Sequence, residues 1–302
     1  MNIGLLHPGE MGTSVGEALQ AGGARVFWAS EFRSAATRVR ATRAGFRELP
    51  TLVDLCRQCQ AIVSVLPPDA CADVATQVLA ANFRGVYLDA SAKAPDQSRQ
   101  TARAFRREGI DFVDGAIIGP PIRAGSITQL YLAGSRAGEV AHWFAGSGFR
   151  TQVMGGQPGT ASVLKQCDSI VNKAFLALLY QGLELAERQG VRAQLLAHWS
   201  RDAGSAVSVA LAHQRLRRSA PKAPRFAAEM ADIARTLQAL QLPDASATAA
   251  QHLFQRLAVE LDAVDAGGDA PLLKAAGWPG ADDRGQAQSA GQQGSQGSAD
   301  PA

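Results

Sequence analysis

The chain opens Met1-Asn2-Ile3-Gly4-Leu5-Leu6-His7-Pro8-Gly9-Glu10-Met11-Gly12, and these twelve residues decide the reading of the fold. Ile3 to Leu6 is an apolar run of strand length. His7-Pro8-Gly9 makes a tight turn. From Met11 onward, Met11, Val15, Ala18 and Leu19 recur at three- and four-residue spacing, which predicts one face of a helix. A strand, a glycine-bearing turn and a helix in this order form a phosphate-binding unit, because the first turn of the helix offers unpaired N–H groups and a partial positive charge. The usual spacing for a dinucleotide is G-x-G-x-x-G. Here its three positions hold His7, Gly9 and Gly12. Gly9 lets the backbone approach a phosphate, and Gly12 lets the helix pack close to the strand. His7, followed by φ-restricted Pro8, stands where the tight-turn glycine belongs.

Working outward, the pattern alternates. Gly22-Gly23 stops the first helix, and residues 24 to 29 read as a second strand. Helices are predicted at 34–43 and 51–57. Gln60 to Leu66 is an apolar, β-rich run suited to a strand buried on both faces, and Pro67-Pro68 ends it. A helix at 69–81, a strand at 85–89, a helix at 96–108, and strands at 111–114 and 128–133 follow. Alternation of this kind predicts an α/β, doubly wound parallel sheet through about residue 158. At Pro158-Gly159 the character changes. Residues 160 to 189 carry one helical pattern of about 30 residues, spanning ~45 Å, and Gly190 ends it. Further helical segments near 193–200, 203–218, 225–241 and 246–265 carry no strand signal. The expected organisation is a Rossmann-type domain over 1–158, an all-α domain over 159–268, and a disordered tail over 279–302, where Gly, Gln, Ser, Ala and Asp show no apolar period.

Composition narrows the function classes. With 302 residues, 46% hydrophobic and 19% charged, the chain is long enough for two domains with a sizeable core. Its net charge of +3 is small and scattered, so neither a nucleic-acid nor a membrane partner is indicated. No apolar run reaches the ~18 residues of a membrane helix, and the first strand leaves no room for a signal segment. A soluble cytoplasmic protein is expected. Cys56-Arg-Gln-Cys59 has no second C-x-x-C to complete a zinc site and reads as a chance pair of half-buried thiols. His142, His198, His213 and His252 lack metal-ligand spacing, so no metal site is expected.

At the end of the second strand lie Ser30-Glu31-Phe32-Arg33-Ser34, where a dinucleotide's adenosine ribose would sit. An acidic residue there suits the ribose hydroxyls of NAD, which speaks for Glu31. Ser30, Arg33, Ser34 and Arg38 suit a 2′-phosphate. The balance favours NADP over NAD. A solvated turn with Ser34 as helix N-cap accounts for the same residues without a ligand.

Taken together, the opening motif, the Asp89-Ala-Ser91 loop, the Gly-rich segment after Asp114, and Gly159 with Lys165 six residues on occur in one order. Over roughly residues 1 to 265 this order resembles the 6-phosphogluconate dehydrogenase and β-hydroxyacid dehydrogenase superfamily. The resemblance implies hydride transfer between a nicotinamide and a small hydroxy acid, possibly phosphorylated, or its carbonyl counterpart. It places Gly9, Glu10, Met11 and Gly12 at the pyrophosphate, Ser30 and Arg33 at the adenosine ribose, Leu66 and Pro67 at the nicotinamide ribose, and Ser91 where nicotinamide and substrate meet. It makes Lys165 the general acid/base. A lysine suits that task because burial and a neighbouring positive charge lower its pKa toward neutrality.

Three positions depart from the family pattern. An asparagine expected one turn after the lysine is replaced by Asp168, at i+3 on the same face, with Asn172 a turn later as a substitute ligand. The Asp-x-Pro-Val-Ser-Gly-Gly substrate loop becomes Ile118-Gly119-Pro120-Pro121, leaving Gly119, Arg123 and Ser126 as substrate contacts alongside Ser91. A late Lys-Asp pair becomes Ala231-Asp232. Two alternatives therefore stand beside the dehydrogenase: an imine reductase with Asp168 or Tyr180 as proton donor, and a non-catalytic dinucleotide-binding sensor or structural protein. Relatives commonly dimerise through the helical domain, so a homodimer is expected. The face Ile170, Ala174, Leu178, Gly182 and Leu185 suits a partner or the chain's own core.

Overall fold

A computed structural model describes residues 1–122, 126–201, 215–265 and 270–275. Arg123, His213 and the 279–302 segment lie outside the described residues. The chain divides into two compact units, Met1–Ser169 and the residues from Ile170 on. The division falls inside a long helix, whereas the change of composition begins at Pro158-Gly159.

In the first unit, eight strands form one sheet: β1 (Asn2–Leu6), β2 (Arg25–Ala29), β3 (Arg47–Leu49), β4 (Ala61–Ser64), β5 (Val86–Asp89), β6 (Asp111–Ile118), β7 (Thr128–Ala133) and β8 (Phe149–Val153). Their order is β3-β2-β1-β4-β5-β6-β7-β8. The first six are parallel; β7 runs antiparallel to β6, and β8 parallel to β7. The helices are α1 (Glu10–Ala21), α2 (Ala35–Arg43), α3 (Leu52–Gln58), α4 (Cys71–Ala80), α5 (Pro95–Arg107) and α6 (Ala137–His142).

One apolar core includes Leu5, Val15, Leu19, Trp28, Val63 and Leu88; another includes Leu55, Ile62, Val78, Tyr87, Phe105 and Phe112. Strands β1 and β4 are buried along their whole length, as parallel strands under helical layers must be.

The order reverses at β1: the chain runs outward to β2 and β3, then crosses to β4 and on. That makes the crevice beyond the C-terminal ends of β1 and β4 the topological switch point, where open α/β sheets hold their ligands. The register sharpens this. Leu6 pairs with Ser64, Ser64 with Asp89, and Asp89 with Asp114, so the ends of β1, β4 and β5 lie in one row with Asp114 in the middle of β6.

Three features depart from the expectation. Strand β3 is Arg-Glu-Leu with no buried residue, and β8 buries only Phe149 among five. Both are edge strands, so neither carries the apolar run that marks an inner one. Strand β6 continues through Gly115 to Ile118 instead of ending at Asp114. A Cβ on Gly115 would press on Leu88 of β5 and on Ala90 just after it, so this glycine serves close strand approach.

The long helix α7 spans Thr160–Arg188. The second unit adds α8 (Arg192–Arg201), α9 (Ala223–Ala239), α10 (Ala245–Asp265) and α11 (Pro271–Ala275). Its core gathers Tyr180 and Leu183 of α7 with Met230, Ile233, Phe254 and Leu257. Buried charges are paired within it: Lys173 with Glu229, and Glu184 with Arg256 and Arg188. Among the described residues, no helix is long and apolar enough to cross a membrane, and no cluster of three metal-ligating side chains occurs.

Candidate functional site

The site begins at the β1–α1 turn. His7 adopts φ +62°, the left-handed conformation a glycine would take without strain and an L-residue takes at a cost. Gly9 caps α1 with no side-chain bond to the helix, and the first intrahelical bond runs from Thr13 N–H to Gly9 O, 2.8 Å. The amides of Glu10, Met11 and Gly12 precede that bond and face the crevice end of the helix. A Cβ on Gly9 would meet nothing within 4 Å, whereas one on Gly12 would be driven into the His7 carbonyl. The two glycines thus divide the work: open approach at the first, tight helix–turn packing at the second. A diphosphate fits this cradle.

The His7 ring meets Arg33 from the β2 end. Nη1 of Arg33 lies 2.6 Å from Nε2 and 3.0 Å from Nδ1 of His7. Closeness to both ring nitrogens sets the guanidinium against the ring instead of in line with either lone pair. Burial, and then the Arg33 charge, lower His7 from 6.5 to about 4, so the ring is neutral near pH 7.

Around Arg33 the other polar side chains are engaged. Glu31 accepts the Leu52 N–H at 2.6 Å. Arg38 donates to Ser30 O at 2.8 Å and to Glu48 at 2.9 Å. Ser34 caps α2 by accepting the Thr37 N–H. Ser30 itself is buried. Arg40 donates to Pro8 O at 3.2 Å, bracing the turn from α2.

Across the switch point, the ends of β4 and β5 are tied together. Ser91 Oγ accepts the Leu66 N–H at 3.0 Å, and Ser91 N–H donates to Asp89 Oδ1 at 3.1 Å. Asp89 is ion-paired with Lys93, and both are buried. Leu66 is buried and Pro67 exposed at the rim. Ser91 therefore acts structurally here as the staple of the two loops, with its hydroxyl at the row of strand ends.

Asp114, fully buried, joins the sheet to α7. Its carboxylate accepts from Ser98 Oγ (2.7 Å), Gly159 N–H (2.9 Å), Ser162 N–H (3.0 Å) and Ser162 Oγ (2.6 Å). One turn further, Lys165 Nζ donates to Ile117 O at 2.6 Å. Ile117 lies three residues beyond Asp114 on the same strand, so the carbonyl that holds the amine belongs to a residue about 10 Å further along β6 than Asp114. Asp168 is half-buried on the next turn. Gly119 has φ +134°, a conformation that favours glycine, and Ile122 N–H donates to Ser14 Oγ of α1 at 2.8 Å. Ser126 is half-buried and engaged by other groups; Arg123 is outside the described residues.

Other expected residues are placed elsewhere. Asn172 belongs to the second unit, where it is exposed and has partners of its own. Tyr180 is buried there, donating to Leu216 O at 2.6 Å, and burial pushes its phenol up to about 12. Asp232 is ion-paired with Arg235. Cys56 and Cys59 are buried free thiols raised to about 12 by burial, which makes them inert. Sequence reasoning used Asp114 only as a landmark and gave no role to Lys93 or Lys173. An acid closing an apolar strand was the available signal for Asp114; nothing marked the two lysines for burial.

Known proteins align with these features. Residues 2–143 match the family described as the NAD binding domain of 6-phosphogluconate dehydrogenase, and residues 186–257 match a domain of unknown function, DUF1932. An uncharacterized 28.5 kDa protein of Methanothermus fervidus is 26% identical over 164 residues, which is 54% of this chain and 62% of that protein, so the match falls short of two thirds of the relative's length. The solved structure of MTH1747, a conserved protein of unknown function described as similar to 3-hydroxyacid dehydrogenases, is 27% identical, with TM-score 0.64 over 85% of this chain and 96% of that one. The 3-hydroxyisobutyrate dehydrogenase of Mycobacterium tuberculosis superposes with TM-score 0.65 over 85% of this chain and 94% of its own, at 18% identity, a likeness of fold.

Proposed function

We propose, from the premise that this chain belongs to the 6-phosphogluconate dehydrogenase and β-hydroxyacid dehydrogenase superfamily, that it is an NAD(P)-dependent oxidoreductase. Its reaction moves a hydride between a nicotinamide and a small hydroxy acid, phosphorylated or not, or the corresponding carbonyl compound. The observation that carries this reading is the seat of Lys165: its amine is held on Ile117 O at 2.6 Å, beyond the same sheet edge that bears the phosphate turn.

A bound nicotinamide supplies the hydride acceptor or donor. The amides of Glu10, Met11 and Gly12, with Gly9 leaving the approach open, hold the diphosphate, and Leu66, Pro67 and Ser91 line the nicotinamide end. Lys165, when neutral, takes the proton of the substrate hydroxyl as hydride leaves the carbinol carbon. In the reverse direction its ammonium returns that proton to the carbonyl oxygen. Asp168, three residues on, orients the substrate hydroxyl. Gly119 and Ser126 shape the substrate end, and Arg123 offers the cation for a carboxylate or phosphate.

The preferred cofactor is NADP. Glu31, the residue that would favour NAD, has its carboxylate on the Leu52 amide, while Arg33 stands at the end of β2. The working form is a cytoplasmic homodimer assembled through the helical unit. Val171, Leu178 and Leu185 of α7 recur at seven-residue spacing with 69%, 65% and 63% of their surface exposed, an apolar stripe suited to a second helix.

The test is Lys165→Ala assayed with NADPH and NADH against a panel of hydroxy acids and their carbonyl partners. Turnover should fall by roughly 10² to 10⁴ with dinucleotide affinity kept within about twofold. Unchanged turnover would remove the lysine mechanism. Dinucleotide binding with no turnover of any panel member by the wild type would favour the non-catalytic reading.

A further inference from the structure

His7 is the residue by which this chain departs from its own phosphate-binding motif, and the structure gives it one partner of consequence. Its ring, neutral and half-buried, lies against the Arg33 guanidinium at 2.6 and 3.0 Å. Among the described residues, Arg33 has no carboxylate within ion-pair distance: Glu31 is held by the Leu52 amide and Glu48 by Arg38. Burial lowers the pKa of Arg33, with the nearby Glu31 charge opposing that shift, and the guanidinium lies against the turn that a diphosphate must approach.

We propose that the His7–Arg33 contact is a latch, parked at the phosphate turn in the free protein and released when a dinucleotide binds, with an additional phosphomonoester on the dinucleotide offsetting the cost of release. This rests on the reading of the crevice as a nicotinamide dinucleotide site. The diphosphate seats on the helix amides only once the guanidinium leaves the turn. A 2′-phosphate near the end of β2 gives that guanidinium a dianionic, bidentate partner, so the exchange is favourable. A dinucleotide with a free 2′-hydroxyl must displace Arg33 from His7 with no such replacement. Breaking the His7 contact thus costs both dinucleotides alike, and the phosphate contact of Arg33 discriminates between them. The left-handed backbone of residue 7 aims the imidazole at the incoming arginine, a task no glycine at this position performs.

The two residues make separable predictions in equilibrium titrations of the full-length protein with NADPH and NADH. His7→Gly, which the φ of +62° accommodates without strain, and His7→Asn, which tolerates the same backbone, should each tighten NADH and NADPH alike, by about fivefold, the equivalent of about 1 kcal/mol, and leave the ratio of the two affinities within about twofold. Arg33→Ala should weaken NADPH by tenfold or more and tighten NADH. Unchanged affinity for both dinucleotides in both His7 variants overturns the latch, as does weakening of both, the mark of a merely structural role. A wild type that binds neither dinucleotide removes the cofactor reading itself, and the latch with it.

Discussion

The Asp114 carboxylate accepts the Ser162 hydroxyl at 2.6 Å and, on its other oxygen, the Ser162 amide at 3.0 Å. With Gly159 N–H and Ser98 Oγ it satisfies four donors in a fully buried site. This is what fixes the start of α7 on β6, and hence where Lys165 stands. Asp114→Asn keeps the shape but turns an N–H₂ group toward donors. We expect a stability loss of roughly 2–3 kcal/mol, read by denaturant unfolding. A small displacement of the lysine should lower turnover by at least about tenfold while dinucleotide affinity holds. Turnover and stability both at wild-type level would show that α7 needs no such anchor.

How much of this was legible beforehand depended on where a residue's partners lie in the chain. The β1–turn–α1 unit was readable because strand, turn and helix signals are local and adjacent. The two edge strands were not, since Arg47-Glu48-Leu49 pairs with β2 on one side only and has no reason to be apolar. Glycines 9 and 12 were assigned different tasks from spacing alone; a Cβ on the first would meet open space and one on the second the His7 carbonyl. The contacts of Glu31 with Leu52 and of Asp114 with Ser162 span 21 and 48 residues. No periodicity encodes such pairings. For the same reason Lys165 could be placed on a helix from sequence, yet its carbonyl partner in β6 could not.

Gly12 should tolerate no side chain. A Cβ there would enter the space of the His7 carbonyl oxygen, which is backbone and cannot rotate away. Gly12→Ala must push α1 off the turn, at a cost of roughly 1–3 kcal/mol for overpacking. It should also abolish tight dinucleotide binding, because the amides of Glu10 and Met11 move with the helix. Gly9→Ala meets open space and should fold as the wild type does. Equal thermal stability of the two variants would contradict this assignment.

Folding stability should depend on His7 in acid. Burial, then the charge of Arg33, hold its folded pKa at about 4 against 6.5 unperturbed, so the native state binds this proton less readily than the unfolded chain. The unfolded state carries more protons between those values, and stability then rises with pH. The His7 contribution is fully present above pH 6.5 and is lost as pH falls from about 6.5 to about 4. His7→Asn removes the titrating group and should flatten that limb of the unfolding free energy, leaving the slope from carboxylates. Superimposable pH profiles for the two proteins would show that the folded imidazole titrates normally.

Glu31 provides the sharpest separation of a structural from a cofactor role. It stands where an acid would hold the ribose hydroxyls of NAD, but its Oε1 accepts the Leu52 N–H at 2.6 Å, at the first turn of α3, whose N-cap is Thr51. A carboxylate at a helix N-terminus satisfies an orphan donor and meets the positive end of the helix. Glu31→Ala should therefore lower stability by about 1–2 kcal/mol and change NADH affinity less than about twofold. Glu31→Gln retains an acceptor and should recover part of the stability. Were Glu31 a ribose ligand, the pattern would invert: NADH binding would weaken by tenfold or more while α3 and overall stability stayed as in the wild type. Calorimetric unfolding and NADH titration of the same two variants distinguish the outcomes.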